Sequence, residues 1–417
     1  MHILILSAQP PSPYSGGEIR LMNLIKHLSR EHDFTVLAPL RDPQAPSLTH
    51  AGRYNHFIPI FLPPPPPRRS RLYYIFNGWR QALFNQQPRL VKTFYSPVIR
   101  QAVEKEIAQG DYDLIQIQQL LMVQYLPSGW KKPCVLDVDN LWSKLLPRMA
   151  ETESFSRWTH RLQTTLDLRK IPAYERKCLR RFNACLAISS EEAQTIQHLA
   201  PKTLVSIIPN GVDYDYFNPG SLYQPAKTRA GQDLQTQPPI LLFTGTMAWE
   251  PNVDAVLYFS TEILPLIHNR LPHVRFIIVG REPRPEVLQL ANQPGIQVSG
   301  FVEDVRPFLA RSAVFVAPIR AGVGTRLKIL EALATGKPVV TTSLGVGDLE
   351  AEHNQHLLIA DQPADFAAAV IELIAHPEHA RQLGENGRQL ALEKYDWKAI
   401  AGQLGQVYQD LVSTEAG

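Results

Sequence analysis

Apolar residues come in short unbroken runs along this chain. HILILSA opens it at residues 2–8, a turn-rich QPPSPYSGGEIR follows, and LMNLIKHLSREH then repeats its apolar positions at helical spacing. DFTVLAPL, YDLIQIQQ, PCVLDVDN and ACLAISS continue the runs through the first half. Runs without polar alternation suit strands covered on both faces. Interleaved with helical patterns, they predict a parallel sheet with crossover helices. The rhythm lapses over residues 220–238, which are polar and lack apolar periodicity. It restarts with ILLFTGT, NVDAVLYFSTEILPLIHNRL, VRFIIVG, IQVSGF, AVFVAPI and KPVVTT. This predicts two α/β units, 1–210 and 239–390, joined by a linker at 211–238. A last amphipathic helix falls within 391–417 and could pack on either unit. The proline run at 63–67 predicts an exposed polyproline loop.

Composition agrees with two ordinary cores, since 417 residues are 44% hydrophobic and 19% charged. No apolar run of about 18 residues predicts a membrane span. The opening apolar run is too short for a secretory signal and reads as a buried first strand. Cys134, Cys178 and Cys185 are odd in number and lack a C-x-x-C spacing, which argues for a reducing compartment and predicts the cytoplasm.

Charge is unevenly spread. Residues 1–200 hold 25 Lys and Arg against 16 Asp and Glu, a balance of +9, and the remainder holds 17 against 23, a balance of −6. No acid lies between Asp42 and Glu104, while Arg53, Arg68, Arg69, Arg71, Arg80, Arg89, Lys92 and Arg100 do, interleaved with Tyr73, Tyr74, Phe76, Trp79 and Phe84. Segment 68–100 therefore suits an anionic membrane surface or a polyanionic acceptor and predicts a peripheral position at the membrane's inner face; a solvated basic face over core aromatics is the alternative. No nucleic-acid reading motif accompanies the charge, so nucleic acid is not an expected partner.

The stretch RAGVGTRLKILEALATGKPVV, residues 320–340, concentrates the candidate chemistry. Gly322 and Gly324 would let backbone approach a ligand, and Thr325 would cap a helix whose first turn offers free N–H groups to an anion. Arg326 and Lys328 add positive charge, and Gly336 with Pro338 signals the helix end. Glu331 shares a face with Lys328 and can accept paired hydrogen bonds from ribose hydroxyls; a local ion pair with Lys328 is the alternative. Gly16 and Gly17 stand between the first strand and helix, where open parallel sheets bind ligands, although an ordinary turn would look the same. Asp137 and Asp139 form a D-x-D, but no other carboxylates cluster with it, so no metal is expected. Asp139 and Asn140 are placed on the acceptor side. No H-E-x-x-H and no G-x-S-x-G appears.

Taken in order, SGGEIR, IPNGVDYDYFNP, FTGTMAWEPNVDAVLYF, FIIVGREP, the stretch VSGF through KPVVTT and the closing YDW resemble glycosyltransferase family 4 over nearly the whole chain. The resemblance implies a GT-B fold: two Rossmann-like domains facing across a cleft, the first binding an acceptor and the second a nucleotide-sugar, with the final helix crossing back. It implies metal-independent transfer with retention of configuration and no cofactor beyond the donor. Arg326, Lys328 and Glu331 would be catalytic, with Gly16, Gly17, Gly245, Thr246, Asn252, Gly280, Arg281, Gly322, Val323, Gly324 and Thr325 around the donor. Glu331 matches the second glutamate of the family's paired motif, while Val323 replaces the first. Gln116 and Gln118 stand where many members carry a sugar-contacting histidine, and an arginine–lysine phosphate clamp is missing from TGTMAWEPN, leaving Thr246, Asn252, Arg326 and Lys328 to compensate. A hexose would pass to a glycan, a polysaccharide precursor or a lipid-linked acceptor. A silent nucleotide-sugar-binding protein and a sugar-nucleotide epimerase of the same fold are the other readings.

Overall fold

The computed structural model describes residues 1–12, 16–40, 56–64, 79–80, 85–152, 165–222, 238–321 and 327–415. The chain divides into two compact units. Residues 1–209 and 398–417 form one, and residues 210–397 form the other.

The first unit is built on a seven-stranded parallel sheet. Its strands are β1 (His2–Ser7), β2 (Asp33–Leu40), β3 (His56–Phe61), β4 (Leu114–Gln118), β5 (Cys134–Asp137), β6 (Ala184–Ala187) and β7 (Leu204–Ile207), in the order β3-β2-β1-β4-β5-β6-β7. Ile3 to Leu6 of β1 are at most 1% exposed, as expected of a central strand covered on both faces. The strand order reverses between β1 and β4, whose register sets Ile5 beside Gln116 and Ser7 beside Gln118. Such a switch point opens a crevice at the carboxyl ends of the strands. Helix α1 (Gly16–Leu28) starts beside it. The outer strands were not expected: β3 carries Pro59, tolerated at a sheet edge, and β7 leaves Leu204 and Ile207 exposed. The last helix, Trp397–Glu415, buries Ile400, Leu404 and Tyr408, and Gly405 lets it close on Leu28, since a Cβ there would lie 3.1 Å from Leu28 Cδ2.

The second unit carries a six-stranded parallel sheet. Here β8 (Ile240–Thr244), β9 (Arg275–Val279), β10 (Ile296–Gly300), β11 (Val314–Ala317), β12 (Val339–Thr341) and β13 (Leu358–Ile359) run in the order β10-β9-β8-β11-β12-β13. Its switch point falls between β8 and β11. The helical pattern after β8 is interrupted. Helix α2 (Glu250–Tyr258) passes into a π turn at Phe259–Ile263 before helix resumes at Leu264–His268. Pro265 has no N–H to give, and Ser260 and Thr261 bond back to the carbonyls of Val256 and Leu257, so the ladder widens for one turn. Helix α3 (Leu327–Ala334) ends as its sequence signals. Gly336 takes φ 69°, its N–H bonds to Leu333 O at 2.8 Å, and Lys337 N–H reaches Ala332 O at 3.1 Å, a Schellman closure.

Candidate functional site

Two crevices carry the polar side chains singled out by the sequence, one at each switch point. In the first unit Gly17 opens α1 against the ends of β4 and β5. A Cβ on it would stand 3.1 Å from both Asp139 Oδ2 and Gln119 Nε2, so a larger residue would push these side chains back by a few tenths of an ångström. Asp139 and Gln119 both adopt left-handed backbone (φ 61° and 73°), and Gln119 Nε2 donates to Asp139 Oδ2 at 3.4 Å. Burial, reinforced by the neighbouring Asp137 and opposed by Arg20, pushes Asp139 up to about 6. Asn140 is half-buried beside it.

Beneath that mouth lies a buried polar network, in which Asp137 Oδ1 is left without a hydrogen-bond partner among the described residues. Arg20 Nε donates to Asp137 Oδ2 at 2.8 Å, with both side chains fully buried. Gln118 Nε2 donates to the same oxygen at 3.2 Å, Gln116 Nε2 donates to Gln118 Oε1 at 3.2 Å, and the Tyr408 hydroxyl donates to Gln116 Oε1. Gln116 and Gln118 are each 1% exposed, so they do not line an acceptor surface as expected. They face inward because β4 is central in its sheet. The D-x-D is not an open pair either: Asp137 ends β5 locked onto Arg20, and Asp139 lies past the strand. That pairing also leaves Asp137 unsuited to the acid–base role an epimerase would need. Among the described residues no group of three His, Cys, Asp or Glu side chains could hold a metal ion.

The second unit brings its candidates together more openly. Lys328, on the first turn of α3, donates to Asn252 Oδ1 at 2.6 Å and lies 4.0 Å from the centroid of the Phe243 ring. Gly245 makes room for this: its φ is 154°, and a Cβ would stand 2.8 Å from Lys328 Nζ. Gly280 in turn lets β9 approach, since its Cβ would fall 1.7 Å from Gly245 O. Arg281 Nε donates to Thr246 Oγ1 at 3.4 Å, and both side chains are half-buried. Asn252 differs from expectation. It is 8% exposed and joins Lys328 to Thr246 O, which receives its Nδ2 at 2.9 Å, so it aims the lysine instead of facing a ligand.

Glu331 is half-buried one turn beyond Lys328. Among the described residues no hydrogen bond or ion pair engages its carboxylate, so the local pairing with Lys328 is not formed. Burial raises its pKa to about 7 against the opposing pull of Lys328. A carboxylate with open acceptor positions, near an aimed ammonium and glycine backbone, suits a diol beside a phosphate. Gly322, Val323, Gly324, Thr325 and Arg326 lie outside the described residues, as do Arg68, Arg69 and Arg71.

Sequence reasoning missed Phe243 and the Tyr216–Asp304–Arg306 cluster. Arg306 binds Asp304 at 2.7 Å, stacks 3.8 Å over Tyr216 and lends Nη1 to Tyr216 O at 3.3 Å. Phe243 was hidden inside an apolar strand run. The cluster joins residues about 90 positions apart, and no local signal links them.

A Rossmann-like parallel sheet in each unit defines the GT-B class. Sucrose-phosphate synthase from Thermosynechococcus elongatus superposes with a TM-score of 0.69 at 18% identity, covering 99% of both chains. The Anabaena Alr3699/HepE protein in complex with UDP-glucose gives 0.63 at 14% identity, covering 98% of this chain and 99% of that one. Family models match in both units: Glycosyltransferase Family 4 over residues 94–216 and Glycosyl transferases group 1 over residues 238–376. The chain belongs to this glycosyltransferase family. It is 26% identical over 374 residues to phosphatidyl-myo-inositol mannosyltransferase of Mycobacterium tuberculosis, covering 87% of this chain and 90% of the relative. It is also 28% identical over 219 residues to that organism's GDP-mannose-dependent alpha-(1-6)-phosphatidylinositol monomannoside mannosyltransferase, covering 49% and 55%.

Proposed function

We propose that this glycosyltransferase moves a hexose from a nucleotide-sugar to a lipid-linked or glycan acceptor, with retention of configuration and without a metal. The observation that carries the reading is the array at the second switch point: aimed Lys328, open Glu331, and the close backbone of Gly245 and Gly280. Glu331 grips the ribose diol, and Lys328 neutralises charge that develops on the leaving diphosphate. The leaving phosphate oxygen accepts the acceptor's proton on the same face of the sugar, so no separate base is required. Mannosyltransferases among the relatives make GDP-mannose the first donor to try.

A lipid-linked acceptor is supported by the described part of the basic segment. Leu90, Tyr95 and Val98 are 42%, 44% and 39% exposed, next to exposed Lys92 and Arg100, a mixture suited to an anionic lipid surface. Among the described residues no helix is long and apolar enough to cross a membrane. The reaction is tested by incubating the protein with GDP-mannose or UDP-glucose and a phosphatidylinositol or oligosaccharide acceptor, then reading the product's anomeric proton by NMR. An α-linked product from the α-linked donor supports the reading; a β-linked product would refute retention.

A further inference from the structure

Helix α2 holds two residues of the stretch that carries the candidate chemistry, one on each side of its glycine-rich run. Asn252 takes Lys328, as described. Two positions on, Asp254 takes Arg320, the residue that precedes the run: Arg320 Nη2 donates to Asp254 Oδ1 at 2.6 Å and Nε to Oδ2 at 3.2 Å. The Arg320 guanidinium also lies 3.9 Å from the Tyr258 ring centroid. Asp254 and Tyr258 are one turn apart on the same helix face, so the planar fork is fixed by a bidentate carboxylate and an aromatic face together. Asn252 and Asp254 leave the helix in different directions because residues two apart do not share a face. Arg320 and Lys328 are therefore each tied to α2, through different residues on different faces of it.

An exposed ion pair ordinarily contributes little to stability, and the Arg320 and Asp254 side chains are 47% and 21% exposed. A bidentate pair stacked on an aromatic specifies geometry more than it adds energy. We propose that Arg320 and Asp254 are positioning residues for the donor's phosphates, acting through the placement of Lys328 and not by touching the donor. This inference rests on the donor-site reading above.

The test combines amide hydrogen exchange in the ligand-free protein with donor kinetics, on Arg320→Ala, Asp254→Ala and the double variant. Exchange at residues 320–321 and 327–331 should quicken about tenfold in both single variants while the melting temperature stays close to that of the parent. With GDP-mannose or UDP-glucose, whichever the parent uses, KM for the donor should rise about tenfold with kcat falling less. The double variant should be no worse than either single one, and Arg320→Lys, which keeps charge but loses the fork, should recover only part of the loss. Unchanged exchange in the single variants would overturn the proposal. So would additive losses in the double variant, because Arg320 would then act on the donor without Asp254. A parent protein that binds neither nucleotide-sugar would instead remove the donor-site reading, and with it the phosphate role, while exchange would still report whether the pair holds Arg320 and Lys328 in place.

Discussion

The two switch points share a topology and treat charge in opposite ways. At the first, β1, β4 and β5 end over a network in which Arg20, Asp137, Gln118, Gln116 and Tyr408 are joined by hydrogen bonds and buried. Gly17, Gln119 and Asp139 lie together at its mouth. At the second, the Asn252 amide and the Phe243 ring aim Lys328, and Glu331 is half-buried without a partner among the described residues. Buried polar networks specify structure; open, aimed charges in a crevice are available to a ligand. A strand end rich in polar residues is thus not a site until its side chains are known to be unspent.

The sharpest way to break this contrast is Lys328→Ala. Removing a donor aimed at developing negative charge should lower kcat by about 10² to 10³, with the fold intact by circular dichroism. A near-parental rate would put the charge stabilisation elsewhere. The mirror experiment is Arg20→Ala, which strands the buried Asp137 carboxylate. It should cost about 3–5 kcal/mol of stability in urea unfolding, the usual penalty for breaking a buried pair. If the cost were under about 1 kcal/mol, the network would not be the buried structural element described.

Glu331 offers a subtler test. Its folded pKa of about 7 lies above the ordinary 4.5, so between those values the folded chain holds a proton that the unfolded chain has released. Stability from this group is therefore greatest at low pH and is lost as pH rises towards 7. In the proposed donor site the ionised form would accept two ribose hydroxyls. Donor affinity should rise severalfold from pH 6 to 8 in the parent and stay flat in Glu331→Gln. A parallel rise in both proteins would exclude Glu331 as the titrating group. Smallest of all should be Gly17→Ala. The Asp139 and Gln119 side chains can shift a few tenths of an ångström, so KM for acceptor and for donor should each change by about threefold or less.

Much of the fold was legible because central parallel strands must be apolar on both faces. β1, β5, β8, β9 and β11 all appear as nearly uninterrupted apolar runs. The edges were not, since β3 tolerates Pro59 and β7 is half exposed, so neither needs the core pattern. At the second switch point the sequence drew attention to Lys328 and Glu331 by residue type and spacing and to Gly245 and Gly280 by resemblance, and the structure brings Gly245, Gly280 and Lys328 close together. Gln116 and Gln118 misled because they were placed by resemblance, at positions where many family members carry a sugar-contacting histidine, and that match says nothing of their burial here. Their partner Tyr408 lies 292 positions along the chain, a distance no local pattern spans. Asn252 misled for a similar reason, as only the folded chain reveals that Lys328 consumes it.

The central claim is that the second switch point binds a nucleotide-sugar through Glu331. Thermal unfolding against GDP-mannose, UDP-glucose and matched ADP- and TDP-sugars tests it directly, because a ligand that binds only the folded chain raises the melting temperature. A clear rise with one donor in the parent, lost in Glu331→Ala, is the predicted result. An equal rise in both proteins, or none with any donor, would contradict it.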